Sequence, residues 1–338
     1  MKSLFRHGGV LGLLLILLLT FVAFYRYATT PVNPSAAAAT IDIPKGAGFL
    51  KITEILDRGG LVRFRPFFWT LALVKKANRH IRAGEYELAG LMAPTEILDK
   101  LVRGEIKEYP VTLPEDITTG EVAKRLAAFK LINEKEFMAL AADRSFLASL
   151  DVEAESVEGY LYPNTYRLDR SMTTREIMRI LVRQFWKEVT PEMRKRAGEI
   201  GLTLQEWVTL ASIIGKESGN GVEKPLISAV FHNRLKMGMK LQSDPTAVYH
   251  LEQNGSPVKA VRREHLQSDT PHNTYRINGL PPGPIANPGI DSLRAALYPA
   301  QVNYLYFVAK NDGSHHFSSS LAAHNQAVLK YQINKQKK

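Results

Sequence analysis

The sequence predicts an α+β protein carried on a single N-terminal transmembrane helix. An uncharged apolar run at the N-terminus is long enough to cross a bilayer. The stretch after it reads twice as strand, turn, helix, strand, turn, helix. The C-terminal part mixes helical periodicity with one hairpin pattern.

In chain order, residues 1–7 form a cytoplasmic tail and 8–27 the transmembrane helix. No charge falls from Gly8 to Tyr25, a run that covers about 27 Å at ~1.5 Å per residue. Lys2 and Arg6 precede it, Arg26 follows, and the next charge is Asp42. That asymmetry puts the N-terminus inside and the remaining chain outside. A cleaved signal peptide is the alternative. The bulky exit through Phe21, Phe24 and Tyr25, without a small-x-small site, favours a retained anchor. Residues 28–41, with Pro31, Pro34 and a run of alanines, read as a linker.

Two α+β modules follow, 42–110 and 111–197, and they look like copies. At an offset of 70, Ile43-Pro44 falls on Leu113-Pro114, Leu56 on Leu126 and Phe67 on Phe137. At an offset of 80, Tyr86 falls on Tyr166, Leu88 on Leu168 and Glu96-Ile97 on Glu176-Ile177. The matches are sparse but ordered, as in an internal duplication with roughly ten residues inserted in the second copy. The insertion falls near 158–166, where Glu158, Tyr160, Tyr162 and Tyr166 crowd beside Gly159 and Pro163. A rigid aromatic loop of this kind serves as a carbohydrate face or packs against a neighbour, and composition does not choose.

The third domain is 198–338. Thr203 with Glu206 opens a helix through Trp207, Leu210, Ile213 and Ile214, expected to stop at Gly219, Asn220 and Gly221. A second helix has Pro225 in its first turn, apolar Ile227, Val230, Phe231 and Leu235, and a stop at Gly238. A short extended piece follows, then a helix capped by Ser243 or Asp244 before Pro245. The stretch 270–289 is dense in Pro and Gly, which stiffens it, and a long stiff loop in a compact domain is usually functional. A hairpin spans 304–318 around Asp312-Gly313, and a helix over 320–333 closes the chain.

Composition removes several function classes. None of the 338 residues is cysteine, which excludes disulfides and thiol chemistry. The net charge of +11 meets no nucleic acid on the outer side of a membrane. It suits anionic lipid or an anionic wall polymer. Histidines gather late in the chain, yet no pair has i, i+4 spacing and no His-Glu-x-x-His occurs, so no metal site is expected. Ser212 and Ser218 lack a nucleophile elbow. No cofactor is implied.

Glu217 stands out against this background. It follows Ile214, Ile213 and Leu210 by three, four and seven positions, so it shares their apolar face near a helix C-terminus. Desolvation and the helix dipole both disfavour its charge there, which raises the pKa toward that of a general acid working near neutrality. The alternative is a snorkelling Glu paired with Lys216 or Lys224. An acid in a polar, aromatic-rimmed cleft points to cleavage of a glycosidic bond. Asp244 and Glu158 are the candidate second carboxylates for hydrolysis. With neither in reach, one Glu can protonate the leaving oxygen and then deprotonate a hydroxyl of the substrate itself.

The segments Ala211-Ser-Ile-Ile-Gly-Lys-Glu217, Leu241-Gln-Ser-Asp-Pro-Thr246 and Asn273-Thr-Tyr275 resemble signatures of the MltG-type (YceG-like) endolytic murein transglycosylases. So do Glu158-Gly-Tyr-Leu, the Gly279 to Gly289 loop and the late His-x-Phe-Ser and His-Asn pattern. The resemblance covers nearly the whole chain. It implies non-hydrolytic cleavage of the β-1,4 bond between N-acetylmuramic acid and N-acetylglucosamine, leaving 1,6-anhydromuramic ends and terminating strand elongation. It also implies a LysM-like subdomain, placed around 82–112, a catalytic domain over 198–338, and contact with penicillin-binding synthases. Glu217 matches the catalytic glutamate. Gln242, Ser243, Asp244, Asn273 and Tyr275, with Glu158 and Tyr162, are the expected glycan-binding positions. The chain departs from the pattern at Gly215 and Ala323, where the family often has Glu. A silent glycan-binding scaffold and a hydrolytic muramidase are the competing readings.

Overall fold

The computed structural model describes residues 2–333 apart from 36, 78, 79, 220, 254, 256 and 257, with side chains from residue 9 onward. Its architecture is mixed α+β, and the backbone divides into two compact units. One holds the chain up to Tyr109 together with Asp169–Ser171; the other holds the rest.

The first unit begins with α1 (Lys2–Thr29). Its stretch Gly9–Thr29 has a mean hydropathy of 2.2, and length and composition suit a single-pass anchor. The end of α1 is not free. Phe24 and Tyr27 meet the Phe67 ring edge-on, and Ala28 is buried in the unit's core. The expected linker therefore shortens at both ends: the helix runs to Thr29 and strand β1 (Ala39–Ile43) starts inside 28–41. Helices α2 (Phe49–Arg58) and α3 (Arg65–Val74) follow, then β2 (Gly84–Leu88), antiparallel to β1 with Ala39 opposite Leu88. Helix α4 (Pro94–Arg103) comes next and ends on Gly104, whose φ of 65° suits the left-handed cap glycine tolerates. Ile52 and Leu56 of α2, Phe68 and Leu71 of α3, and Ile97, Leu98 and Leu101 of α4 pack over Tyr86 and Leu88, so each helix buries one stripe.

The second unit repeats the pattern. Strand β3 (Tyr109–Leu113) pairs with β4 (Asn164–Leu168). Between them lie α5 (Thr119–Ala128), α6 (Glu134–Ala141) and α7 (Arg144–Ala148), and α8 (Thr174–Glu188) follows. β1 to β3 and α2 to α5 are each displaced by 70 positions; β2 to β4, and the starts of α4 and α8, by 80. The extra length of the second copy goes into α7 and the loop after it. The fold does not confirm the LysM-like subdomain expected at 82–112. That segment does not close on itself, because β2 pairs with β1 while β3 pairs with β4.

Beyond α8 come α9 (Pro191–Glu199), α10 (Leu204–Glu217), α11 (Lys224–Lys236), α12 (Asp244–Glu252), α13 (Arg263–Gln267) and α14 (Ile290–Leu297). The hairpin β5 (Tyr306–Ala309) with β6 (His315–Ser318) precedes α15 (Leu321–Val328), which runs on into a π-helical turn, Leu329–Ile333. There is no packing break at 197/198: α9 lies against α10 and α14, and both sides belong to one unit. Helix α10 is the centre of this region. Its Trp207 is fully buried and donates its indole N–H to the Leu293 carbonyl at 2.8 Å. The loop 268–289 contains no helix or strand and is pinned by a bridge between Asn287 and Ile117.

Candidate active site

Helix α10 starts on a full capping box. Thr203 accepts from the Glu206 amide, and the Glu206 carboxylate accepts from the Thr203 amide at 2.8 Å. Leu210, Ile213 and Ile214 are wholly buried, and the helix ends at Glu217, after which Ser218 is extended. The expected stop residue Asn220 lies outside the described residues.

Glu217 receives a short hydrogen bond, 2.5 Å, from the Ser243 hydroxyl. Ser243 sits at the N-cap of α12 but does not cap it; its hydroxyl goes to Glu217 instead. The backbone around Ser243 is fixed from several sides. Its amide donates to Thr274 Oγ1 at 2.9 Å, and Thr246 donates to its carbonyl at 2.6 Å. Gln242 takes a left-handed φ of 51°, with its amide bonded to the Thr274 carbonyl. Strain of this kind survives only where the surroundings hold it. Asp244 accepts from the Tyr275 hydroxyl at 2.6 Å.

Burial raises the Glu217 pKa to about 7; the nearby Asp244 charge adds to the rise, while the Ser243 bond and Arg234 oppose it. Glu217 is only half-buried and opens on a cavity of about 460 Å³. Arg234, Gln242, Asp244, Tyr275, Tyr306 and His315 share its walls. Arg234 is spent on the backbone, donating to Leu305 and Leu241 carbonyls at 2.7 Å. His315 is oriented by Glu223, 2.7 Å from its Nδ1, and its amide donates to the same carboxylate. An acid near neutrality, beside a second carboxylate and a held imidazole, can protonate a leaving oxygen.

A family model described as the YceG-like family matches residues 41–330. The chain belongs to the YceG-like family. An endolytic murein transglycosylase of Bacillus subtilis is 31% identical over 323 residues, covering 90% of this chain and 88% of the relative. One from Streptococcus pneumoniae is 26% identical, and this chain spans only 61% of its length. A crystal structure of a yceG-like protein from Listeria monocytogenes superposes with a TM-score of 0.60 at 30% identity, covering 86% of this chain and 98% of that one.

In this YceG-like chain the expected site residues fall into two groups. Glu217, Gln242, Ser243, Asp244 and Tyr275 come together at the cavity. Asn273, Glu158 and Tyr162 do not. Asn273 is fully buried and clamps its own loop, donating to the carbonyls of His265, Leu266 and Ser268 and accepting from the Tyr275 amide. Glu158 is buried and accepts from the Thr119 amide and hydroxyl, Tyr249 and Asn287, with burial raising its pKa to about 7. With both oxygens engaged and a different cavity beside it, Glu158 is no second carboxylate for Glu217. Tyr162 is buried, and its carbonyl accepts the Tyr166 hydroxyl. With Tyr160 against Phe185 and Trp186, the aromatic loop packs the interior rather than a sugar.

The snorkelling alternative for Glu217 also meets its test here. Lys216 pairs with Glu252 and Lys224 with Glu115, at 3.4 and 3.3 Å. Gly215 proves more than an omitted charge. A Cβ there would lie 1.8 Å from Asp116 Oδ1, so another segment brings a carboxylate into that space. Asp116 is largely buried, and burial raises its pKa to about 7. The motif containing His315 and His324 was visible in the sequence without roles, whereas Glu223 and Arg234 carried no signal. Among the described residues no group of acids and histidines is arranged to hold a metal.

Proposed function

We propose that this protein is an endolytic lytic transglycosylase that cleaves the MurNAc–GlcNAc β-1,4 bond of peptidoglycan without water. Kinship makes it a lyase of the murein transglycosylase type. The observation that carries the finer reading is Glu217, held by Ser243 with its pKa near 7 at the wall of a polar cavity. Protonated Glu217 gives its proton to the glycosidic oxygen as the C1–O4 bond breaks. The resulting carboxylate takes the proton of the muramic 6-hydroxyl as O6 bonds to C1. Glu217 ends protonated again, and the strand ends in 1,6-anhydromuramic acid. Attack from within the same sugar supplies the proximity that a bound water would otherwise need.

Gln242, Ser243, Asp244 and Tyr275 are the proposed glycan contacts, and Asn273 is assigned to holding the loop that carries Tyr275. The cavity is proposed to face the outer side of the cytoplasmic membrane, with the N-terminus inside, and to act on nascent strands. Contact with penicillin-binding synthases is carried by the resemblance alone.

The test is to incubate the detergent-solubilised chain with purified peptidoglycan and weigh the new ends. Anhydromuramic ends, absent with Glu217→Gln, are the expected result. Reducing muramic ends make water the nucleophile and give Asp244 the second-carboxylate role. Bound glycan with no new ends favours the silent scaffold.

A further inference from the structure

We propose that α3 is an in-plane membrane helix whose exposed apolar face rests in an anionic lipid surface beside the emergence of α1. The proposal depends on α1 spanning the membrane. Two features tie α3 to that span. Phe67 of α3 meets Phe24 and Tyr27 of α1 at ring-centroid distances of 5.6 and 5.5 Å, and Ala28 is buried in the same core. Wherever the end of α1 sits in the bilayer, α3 sits beside it.

The outward side of α3 is apolar. Pro66, Trp69 and Leu73 follow i, i+3 and i+7 spacing and share a face. Trp69 is 46% exposed, Leu73 43% and Val74 70%, while Phe64 just before the helix is 50% exposed. Leu50 of α2, 77% exposed, lies across a groove of about 500 Å³ from Trp69 and Pro66, with Lys51 and Arg65 on its walls. A water-facing surface rarely gathers such residues in one patch. Cations flank it: Arg63 and Arg65 at one end of α3, Lys75 and Lys76 at the other, all exposed. Asp57 and Asp99 bond Arg65 and Lys75 and so temper this charge without reversing it. A helix with Trp and Leu on one face and cationic ends is the form that lies in a headgroup layer.

The same contact bears on depth. Residues 9–23, ahead of Phe24, cover about 22 Å at ~1.5 Å per residue, and the span Gly9–Thr29 reaches the ~30 Å of a hydrocarbon core only with residues 24–29. That last part of α1 is the part packed against α3 and its core, so a depth that takes it into the bilayer brings α3 to the interface.

The experiment uses the full chain reconstituted into phosphatidylglycerol-containing vesicles whose acyl chains carry bromine, which quenches nearby indoles. Trp69 is the exposed member of the three tryptophans; Trp207 is fully buried, and α1 has none. The expected result is a loss of emission in brominated vesicles that Trp69→Phe abolishes and Leu73→Glu reduces. Equal quenching in the parent and Trp69→Phe overturns the proposal. So does a Trp69 reached by iodide from the buffer but not by bromolipid. Shielding of Trp69 by soluble glycan fragments instead of lipid also overturns it. An alkaline carbonate wash separates the two layers of the argument. A chain washed off the vesicles refutes the anchor itself; a retained chain with unquenched Trp69 refutes only the docking of α3.

Discussion

In the proposed mechanism Glu217 serves as an acid only if its proton stays on near neutrality, and Ser243 sets how tightly. The Ser243 hydroxyl steadies the carboxylate and so opposes the rise that burial causes. Ser243→Ala removes that support and raises the Glu217 pKa further. General-acid activity is lost as pH rises through this pKa, so the alkaline limb of the rate profile should move up by about one pH unit. A limb that moves down, or stays put while activity falls, would break the link between Ser243 and the proton. Glu217 itself was readable from apolar spacing within one helix, and Gln242, Asp244 and Tyr275 from local motifs. Glu223 was not, because its partner His315 comes from a hairpin far along the chain. Glu158 was misplaced for the same reason: its four donors belong to three distant segments.

Among elements, the paired offsets of 70 and 80 were readable because each copy keeps its apolar positions at fixed spacing. The pairings β1 with β2 and β3 with β4 were not readable, because strand partners are chosen across the sequence and periodicity does not say which strand pairs with which. The clearest test at this scale concerns α10 and the loop after β3. Gly215 gives Asp116 room, and Gly289 does the same for Glu115, where a Cβ would lie 2.0 Å from the carboxyl carbon. Gly215→Ala should destabilise the protein by about 1–3 kcal/mol or more, as overpacking does. Pairing it with Asp116→Gly should recover most of that loss in a urea-melt double-mutant cycle. Additive losses would mean that the two positions do not share the space.

At the scale of the whole molecule, three acids among the described residues have raised pKa values near 7: Glu217, Glu158 and Asp116. Each binds its proton more tightly folded than unfolded, so its stabilising effect is complete below the ordinary carboxylate range and is lost as pH rises through about 7. These three acids by themselves should lower the melting temperature between about pH 4.5 and 8, each by up to a few kcal/mol of stability, against the opposite pull of His232, His272 and His324, whose pKa values burial lowers. Glu217→Gln should melt above the parent at pH 8, with the gap closing toward pH 4.5; a constant gap would argue against a raised Glu217. The tripeptide Asp169–Ser171 carries a consequence of another kind. Although it lies after β4, it completes the N-terminal unit, where Arg170 bonds Glu85 at 3.1 Å and covers the Tyr109 ring at 4.3 Å. A ribosome makes Glu85 and Tyr109 long before Arg170. The N-terminal unit is thus synthesised first but is finished only after most of the second repeat has been made, so its maturation waits on synthesis downstream.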